Sequence, residues 1–130
     1  MLNETRLERH PRTKAFVDTI LRSSAPHPFN HFYGNLQYIP DYECVIEMTD
    51  DFNDGVITLG YIQSLRKGYG NGTACVQWFL SVAKVHGMTV HICAERQGND
   101  GLTQSQLKAW YRSLGFKFPY NGREGSVCYA

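Results

Sequence analysis

Residues 67–74 read Lys67-Gly68-Tyr69-Gly70-Asn71-Gly72-Thr73-Ala74 and stand where a strand-like run gives way to an amphipathic helical one. Three glycines at alternate positions free backbone amides beside a helix N-terminus, an arrangement suited to cradling phosphate. Upstream, Gly55-Val56-Ile57-Thr58-Leu59-Gly60-Tyr61-Ile62-Gln63-Ser64 is rich in β-branched and aromatic residues and predicts a strand long enough to cross a sheet. Downstream, residues 71–86 place Ala74, Cys75, Trp78, Phe79, Val82, Ala83 and Val85 at helical spacing on a broad apolar face, and Gly87 ends the helix.

Other glycine motifs fit less well. A P-loop ends Gly-Lys-Ser or Gly-Lys-Thr, with the lysine on the phosphates and the hydroxyl on magnesium; here Lys67 precedes the glycines. A dinucleotide fingerprint needs a third glycine for close packing of helix on strand. Counted from Gly68 that position is Thr73, and counted from Gly70 it is Cys75. Glu95, after the next strand, is the one feature that favours a Rossmann-like nucleotide module. The plainest alternative is that the glycines only turn the chain into a helix.

The 130 residues predict one domain, 1–130, with a sizeable core but too little chain for a full doubly wound dinucleotide fold. Thirteen Lys and Arg against twelve Asp and Glu leave a formal charge of +1, so no global field draws the molecule to nucleic acid or an anionic membrane. No run approaches a transmembrane span, and the charged start around Glu4, Arg6, Glu8 and Arg9 has no signal-peptide core; a cytoplasmic protein is expected. Cys44, Cys75, Cys93 and Cys128 lie in apolar patterns without metal-ligand spacing, which predicts buried free thiols. The five histidines form no ligand motif either, so no metal is expected.

A helix over 11–22 is predicted, with Pro11 in its first turn and Phe16, Val17, Ile20 and Leu21 inward. Strands follow at 36–39, 43–49 and 88–94, with turns at Pro40-Asp41 and 50–54. A second long helix is expected over 103–114, opened by a capping box of Thr103 and Gln106 and ended by Gly115. Residues 116–120, the Asn121-Gly122 turn and 126–130 read as a closing hairpin. The pattern is a mixed α/β (α+β) domain.

The glycine loop and the last helix together resemble the GCN5-related N-acetyltransferase (GNAT) superfamily. The family's acetyl-CoA loop runs Arg or Gln, two residues, Gly, one residue, Gly or Ala; the stretch from Lys67 to Gly72 is similar, with lysine at the first position. Ile62-Gln63-Ser64 looks like the end of the strand whose backbone holds the pantetheine arm. Ala109-Trp110-Tyr111-Arg112-Ser113-Leu114-Gly115-Phe116 resembles the later motif, whose tyrosine lies near the cofactor sulfur. The resemblance covers about half the chain, residues 55–120, and implies a mostly antiparallel sheet flanked by helices. Two departures stand out: Gln104 where many members carry asparagine, and a short region before Leu36 that supplies one clear helix where the family has a strand and two helices. The family's acceptor sites are built largely from that region.

The resemblance implies acetyl transfer to an amine without a covalent enzyme intermediate. Ile62, Gln63, Ser64, Lys67, Gly68, Tyr69, Gly70, Asn71, Gly72, Thr73 and Tyr111 are then the expected acetyl-CoA contacts. Tyr111 is the candidate general acid for the departing thiolate; without the resemblance it reads as a core aromatic. Glu47 and His91, both in strands, are the candidate general bases, each with an ordinary structural reading beside it, and a water chain serves the same end. Cys93 reads as core rather than nucleophile. Residues 23–65 contain no Lys or Arg but hold Asp41, Glu43, Glu47, Asp50, Asp51 and Asp54, an acidic bias that suits a cationic amine on a small molecule or peptide or merely solubilises turns. Trp78 and Trp110 fit helix packing rather than a nucleic-acid platform. The expected partners are thus an amine-bearing acceptor, with neither nucleic acid nor membrane, and a homodimer is the candidate assembly. A catalytically degenerate CoA-binding protein acting through protein association is the alternative.

Overall fold

The computed structural model describes residues 2–25, 36–66, 70–93, 103–117 and 127–129. Helices α1 (Glu4–Glu8) and α2 (Pro11–Arg22) come first, followed by strand β1 (Leu36–Ile39), a 3-10 turn (Pro40–Tyr42), β2 (Cys44–Asp50) and β3 (Val56–Ser64). Helix α3 (Asn71–Val85), β4 (Thr89–Cys93), α4 (Gln104–Ser113) and β5 (Val127–Tyr129) complete the order. The five strands pair in sequence order, and every pair is antiparallel except β3 with β4. A single parallel pair, bridged by α3 and followed by an antiparallel β5, is not the doubly wound sheet that a Rossmann-like module requires. The longer strands and helices lie where the sequence pattern predicts them, whereas α1 is an element that the pattern does not announce. The expected hairpin around Asn121-Gly122, and Glu95, lie outside the described residues.

A one-residue irregularity organises the sheet. Met48 pairs with Leu59 but Glu47 pairs with Tyr61, so Gly60 is the extra residue of a bulge in β3. Before it, Ile57 and Leu59 face the helices; after it, Ile62 does, opposite Ile46. β4 continues the same face with Val90 and Ile92. The helices cover this face with Phe16, Val17 and Ile20 from α2 and Cys75, Val76, Phe79 and Ala83 from α3, all essentially inaccessible to solvent. Phe16 meets Phe79 edge to face at 5.1 Å, the arrangement that aromatic quadrupoles prefer.

Two helix starts are satisfied from far along the chain. His10, the residue before α2, makes no side-chain cap. Instead Asp54 accepts from the Thr13 amide at 3.0 Å and the Thr13 hydroxyl at 3.2 Å, while that hydroxyl accepts from the Gly55 amide at 2.9 Å. Asn3 caps α1 by accepting from the Arg6 amide at 2.9 Å, and its own amide donates 2.8 Å to the Asp50 carboxylate. Arg6 forms an ion pair with the same carboxylate and lies 4.5 Å over the Phe52 ring. The sequence pattern puts Asp50 in a turn; in the fold it is the last residue of β2, and it is buried because α1 supplies these partners.

Burial alone disfavours the ionised Asp50, but the hydrogen bonds from Arg6 and Asn3 outweigh it and hold the carboxyl below the usual range. A depressed folded pKa adds stability that is present above the unfolded value, about 3.9, and is lost as pH falls through the folded one. Asp50→Asn is therefore expected to lower the urea midpoint at pH 7 and to approach wild type in strong acid. A stability gap that stays constant with pH would contradict the assignment.

Candidate functional site

The site is built at the end of β3 that lies beyond its described pairing with β4. Their ladder runs from Val56 opposite Thr89 to Leu59 opposite Ile92, and the bulge at Gly60 follows at once. From there β3 continues through Tyr61, Ile62, Gln63 and Ser64 in a ladder with β2 alone, among the described residues. This second half of β3 runs beside the start of α3. Ser64 marks the closeness: its Cβ lies 3.9 Å from where a Gly72 Cβ would stand.

Gly70 caps α3 in the left-handed region, at φ 73 and ψ 11, with no side chain to satisfy the helix start. The first internal bond runs from the Ala74 amide to the Gly70 carbonyl at 3.0 Å, which leaves the amides of Asn71, Gly72 and Thr73 without an intrahelical acceptor. Open donors at the positive end of a 15-residue helix favour an anion. Lys67, Gly68 and Tyr69 lie outside the described residues.

The second motif meets the first through one bond. The Trp110 indole N–H donates 2.8 Å to the Thr73 hydroxyl, and the Trp110 six-membered ring lies 3.9 to 4.0 Å from the Gly72 Cβ position. Helix α4 is held at its own start by both bonds of the expected capping box: Thr103 accepts from the Gln106 amide at 3.2 Å, and Gln106 accepts from the Thr103 amide at 2.9 Å. In sequence Trp110 reads as packing; the signal it offers is the indole N–H, which seeks an acceptor when partly buried. Gly60 carries a signal too, since a lone glycine inside a strand pattern marks a bulge.

The candidate proton-transfer residues do not converge on one face. Tyr111 is 6 % exposed, stacks obliquely on Trp110 at 4.9 Å and meets Phe116 edge to face at 5.8 Å, so its ring belongs to the core. Glu47 and His91 lie on the opposite side of the sheet from the helix-facing Met48 and Ile92. Glu47 is the nearer of the two to the bulge, with its Oε1 3.6 Å from where a Gly60 Cβ would be. His91 sits in β4, between Thr58 and Tyr129 of the neighbouring strands.

The acidic bias resolves mostly into structural work. Asp50 pairs with Arg6, Asp54 caps α2, and Glu43 lies 3.4 Å from Arg66. These three of the six acidic residues have partners within the chain, as does Asp51, which accepts from the Asn53 amide at 3.0 Å. Cys44 and Cys75 are free and fully buried, as expected of structural thiols. Hydrogen bonding from Cys75 lowers the Cys44 thiol pKa, and that contact together with burial pushes Cys75 up. Cys44 passes its own proton toward the Tyr42 carbonyl at 3.2 Å. Among the described residues, no group of three or more His, Cys, Asp or Glu is placed to hold a metal ion, and no helix is long and apolar enough to cross a membrane.

This architecture, a mixed α/β domain with a mostly antiparallel sheet flanked by helices, is a GNAT-like fold. Among solved structures, the crystal structure of the anti-CRISPR protein AcrVA5 is similar to it, with a TM-score of 0.56 and 19 % sequence identity over 68 % of this chain and 90 % of that one. At that identity the likeness speaks to the fold. No protein-family model matches the chain, and no curated protein does.

The two glycines at the start of α3 should respond differently to a methyl group. Gly70→Ala forces a side chain into a left-handed conformation and should cost about 1–2 kcal/mol of stability. Gly72→Ala meets only ordinary contacts at 3.9 Å inside the helix and should be neutral or gain up to about 1 kcal/mol. Urea unfolding of both variants checks the contrast, and equal losses would refute it.

Proposed function

We propose that the chain is an N-acetyltransferase that moves an acetyl group from acetyl-CoA to a primary amine of a small molecule or peptide, by direct attack in a ternary complex. One observation carries this reading: the end of β3 past the Gly60 bulge lies against the glycine-capped start of α3, with the Ser64 Cβ 3.9 Å from the Gly72 Cβ position. An extended pantetheine arm with amide groups suits the backbone of Ile62 to Ser64 at this strand end, as an added strand would. The amides of Asn71, Gly72 and Thr73 suit the diphosphate, with Lys67 supplying charge and Gly68, Tyr69 and Gly70 completing the loop in sequence. The likeness to AcrVA5 supports the fold beneath the reading.

The chemistry is balanced without a covalent enzyme intermediate. The acceptor nitrogen forms the new C–N bond, the thioester C–S bond breaks, and the proton leaving nitrogen is matched by one delivered to the thiolate. Glu47, beside the bulge, is the stronger base candidate, directly or through water, with His91 the alternative. Tyr111 is the donor to sulfur, and backbone amides of Ile62 and Gln63 are the candidates for holding pantetheine and the tetrahedral oxyanion.

A second reading, a CoA-binding protein without turnover that acts through protein association, draws on one specific observation. The Tyr111 ring is packed into the core between Trp110 and Phe116. Turnover measurements separate the two.

Calorimetry with acetyl-CoA, CoA and NAD, followed by thiol release over a panel of amines and lysine peptides, tests the reading. CoA and acetyl-CoA should bind and NAD should not; absence of CoA binding sinks both readings. Gly70→Val should abolish binding. Glu47→Gln should lower kcat by about 10²–10⁴-fold if Glu47 is the base, and Tyr111→Phe should lower kcat with binding largely intact. Unchanged turnover removes the residue concerned from the mechanism.

A further inference from the structure

The Trp110 to Thr73 bond joins residues 37 apart in sequence and lies at the first turn of α3. Gly72 and Thr73 are two of the three residues whose amides lack an intrahelical acceptor, and Trp110 touches both: its ring covers Gly72 and its N–H reaches the Thr73 hydroxyl. A hydroxyl has one proton to give and two lone pairs to receive with. Because the Thr73 oxygen accepts from the indole, which can only donate, that bond leaves the hydroxyl proton available for an acceptor outside the helix. Among the described residues the Thr73 hydroxyl donates to none.

Resting on the acetyl-CoA reading above, we infer that Trp110 is a positioning residue for the diphosphate: its indole N–H turns the Thr73 hydroxyl so that its proton joins the three open amides in binding the anion. Accepting one hydrogen bond also strengthens the hydroxyl as a donor. A phenylalanine at 110 keeps most of the packing on Gly72 and Tyr111 but releases the hydroxyl to rotate. A serine at 73 keeps the hydroxyl, and a valine keeps the shape without it. The later motif thus contributes to cofactor binding through Trp110, apart from any role of Tyr111 in proton transfer.

The test is a double-mutant cycle read by CoA titration calorimetry, with far-UV circular dichroism of each unliganded variant to establish folding. Trp110→Phe and Thr73→Val are each expected to weaken CoA binding about 10-fold, as loss of one hydrogen bond to a charged group would. The double variant should lie within about twofold of the weaker single, because both changes remove the same donor. Thr73→Ser should bind within about twofold of wild type. If Trp110→Phe does not fold, the comparison of Thr73→Val with Thr73→Ser decides: equal CoA affinity in those two variants overturns the inference. Losses that multiply in the double variant, or CoA binding unchanged by either single change, also overturn it while leaving the acetyl-CoA reading intact. Wild-type protein that binds no CoA overturns that reading and the inference with it.

Discussion

The bulge at Gly60 is the constraint on which the rest depends. In a strand the side-chain period is two, so one inserted residue exchanges the faces of everything beyond it. Ile57 and Leu59 face the helices before the insertion and Ile62 after it, which keeps apolar residues inward on both sides of the irregularity. In a regular ladder Tyr61 and Gln63 would turn into the core and Ile62 would turn out. The same insertion directly follows the described β3–β4 ladder, so the feature that preserves the core also sets the course of β3 toward the glycine-capped start of α3.

Elsewhere in the fold, distant parts of the chain complete one another's hydrogen bonds. Asp54 satisfies the start of α2 across 41 residues, and Asp50 holds α1 across 44 and 47 residues through Arg6 and Asn3. Residues that read as a loose acidic run are therefore partly caps and ion pairs, and each is buried or directed by its partner rather than by its neighbours in sequence. This matters for function because it thins the acidic surface that a cationic acceptor would meet. Charge counted along a chain measures a field only when the side chains remain available to solvent.

Much of the fold is legible in the sequence. Period-two and period-3.6 patterns mark β2, β3, β4, α2, α3 and α4 to within a residue or two, and the glycines at 70, 87 and 115 punctuate helices with positive φ as their positions suggest. Helix α1 is not legible: at five residues it has too few turns to show a period, and its stability comes from contacts with Asp50. Of the candidate site, Gly70 through Thr73 can be read because a glycine-rich helix start has a sequence signature. The bond made by Trp110 cannot, because an indole on an apolar helix face looks the same in sequence whether or not its N–H finds a partner.

The chain by itself determined the local elements and the order of the two motifs, since periodicity, glycine and capping residues act over a few positions. Only the tertiary structure decided that the motifs touch, that Gly60 bulges opposite Glu47 and Met48, and that Tyr111 lies in the core while Glu47 and His91 lie on the other face of the sheet. The physical reason is range. A cap or a turn is set by neighbours in the chain, whereas a register, a face and a hydrogen bond across 37 residues exist only once the strands have paired and the core has closed.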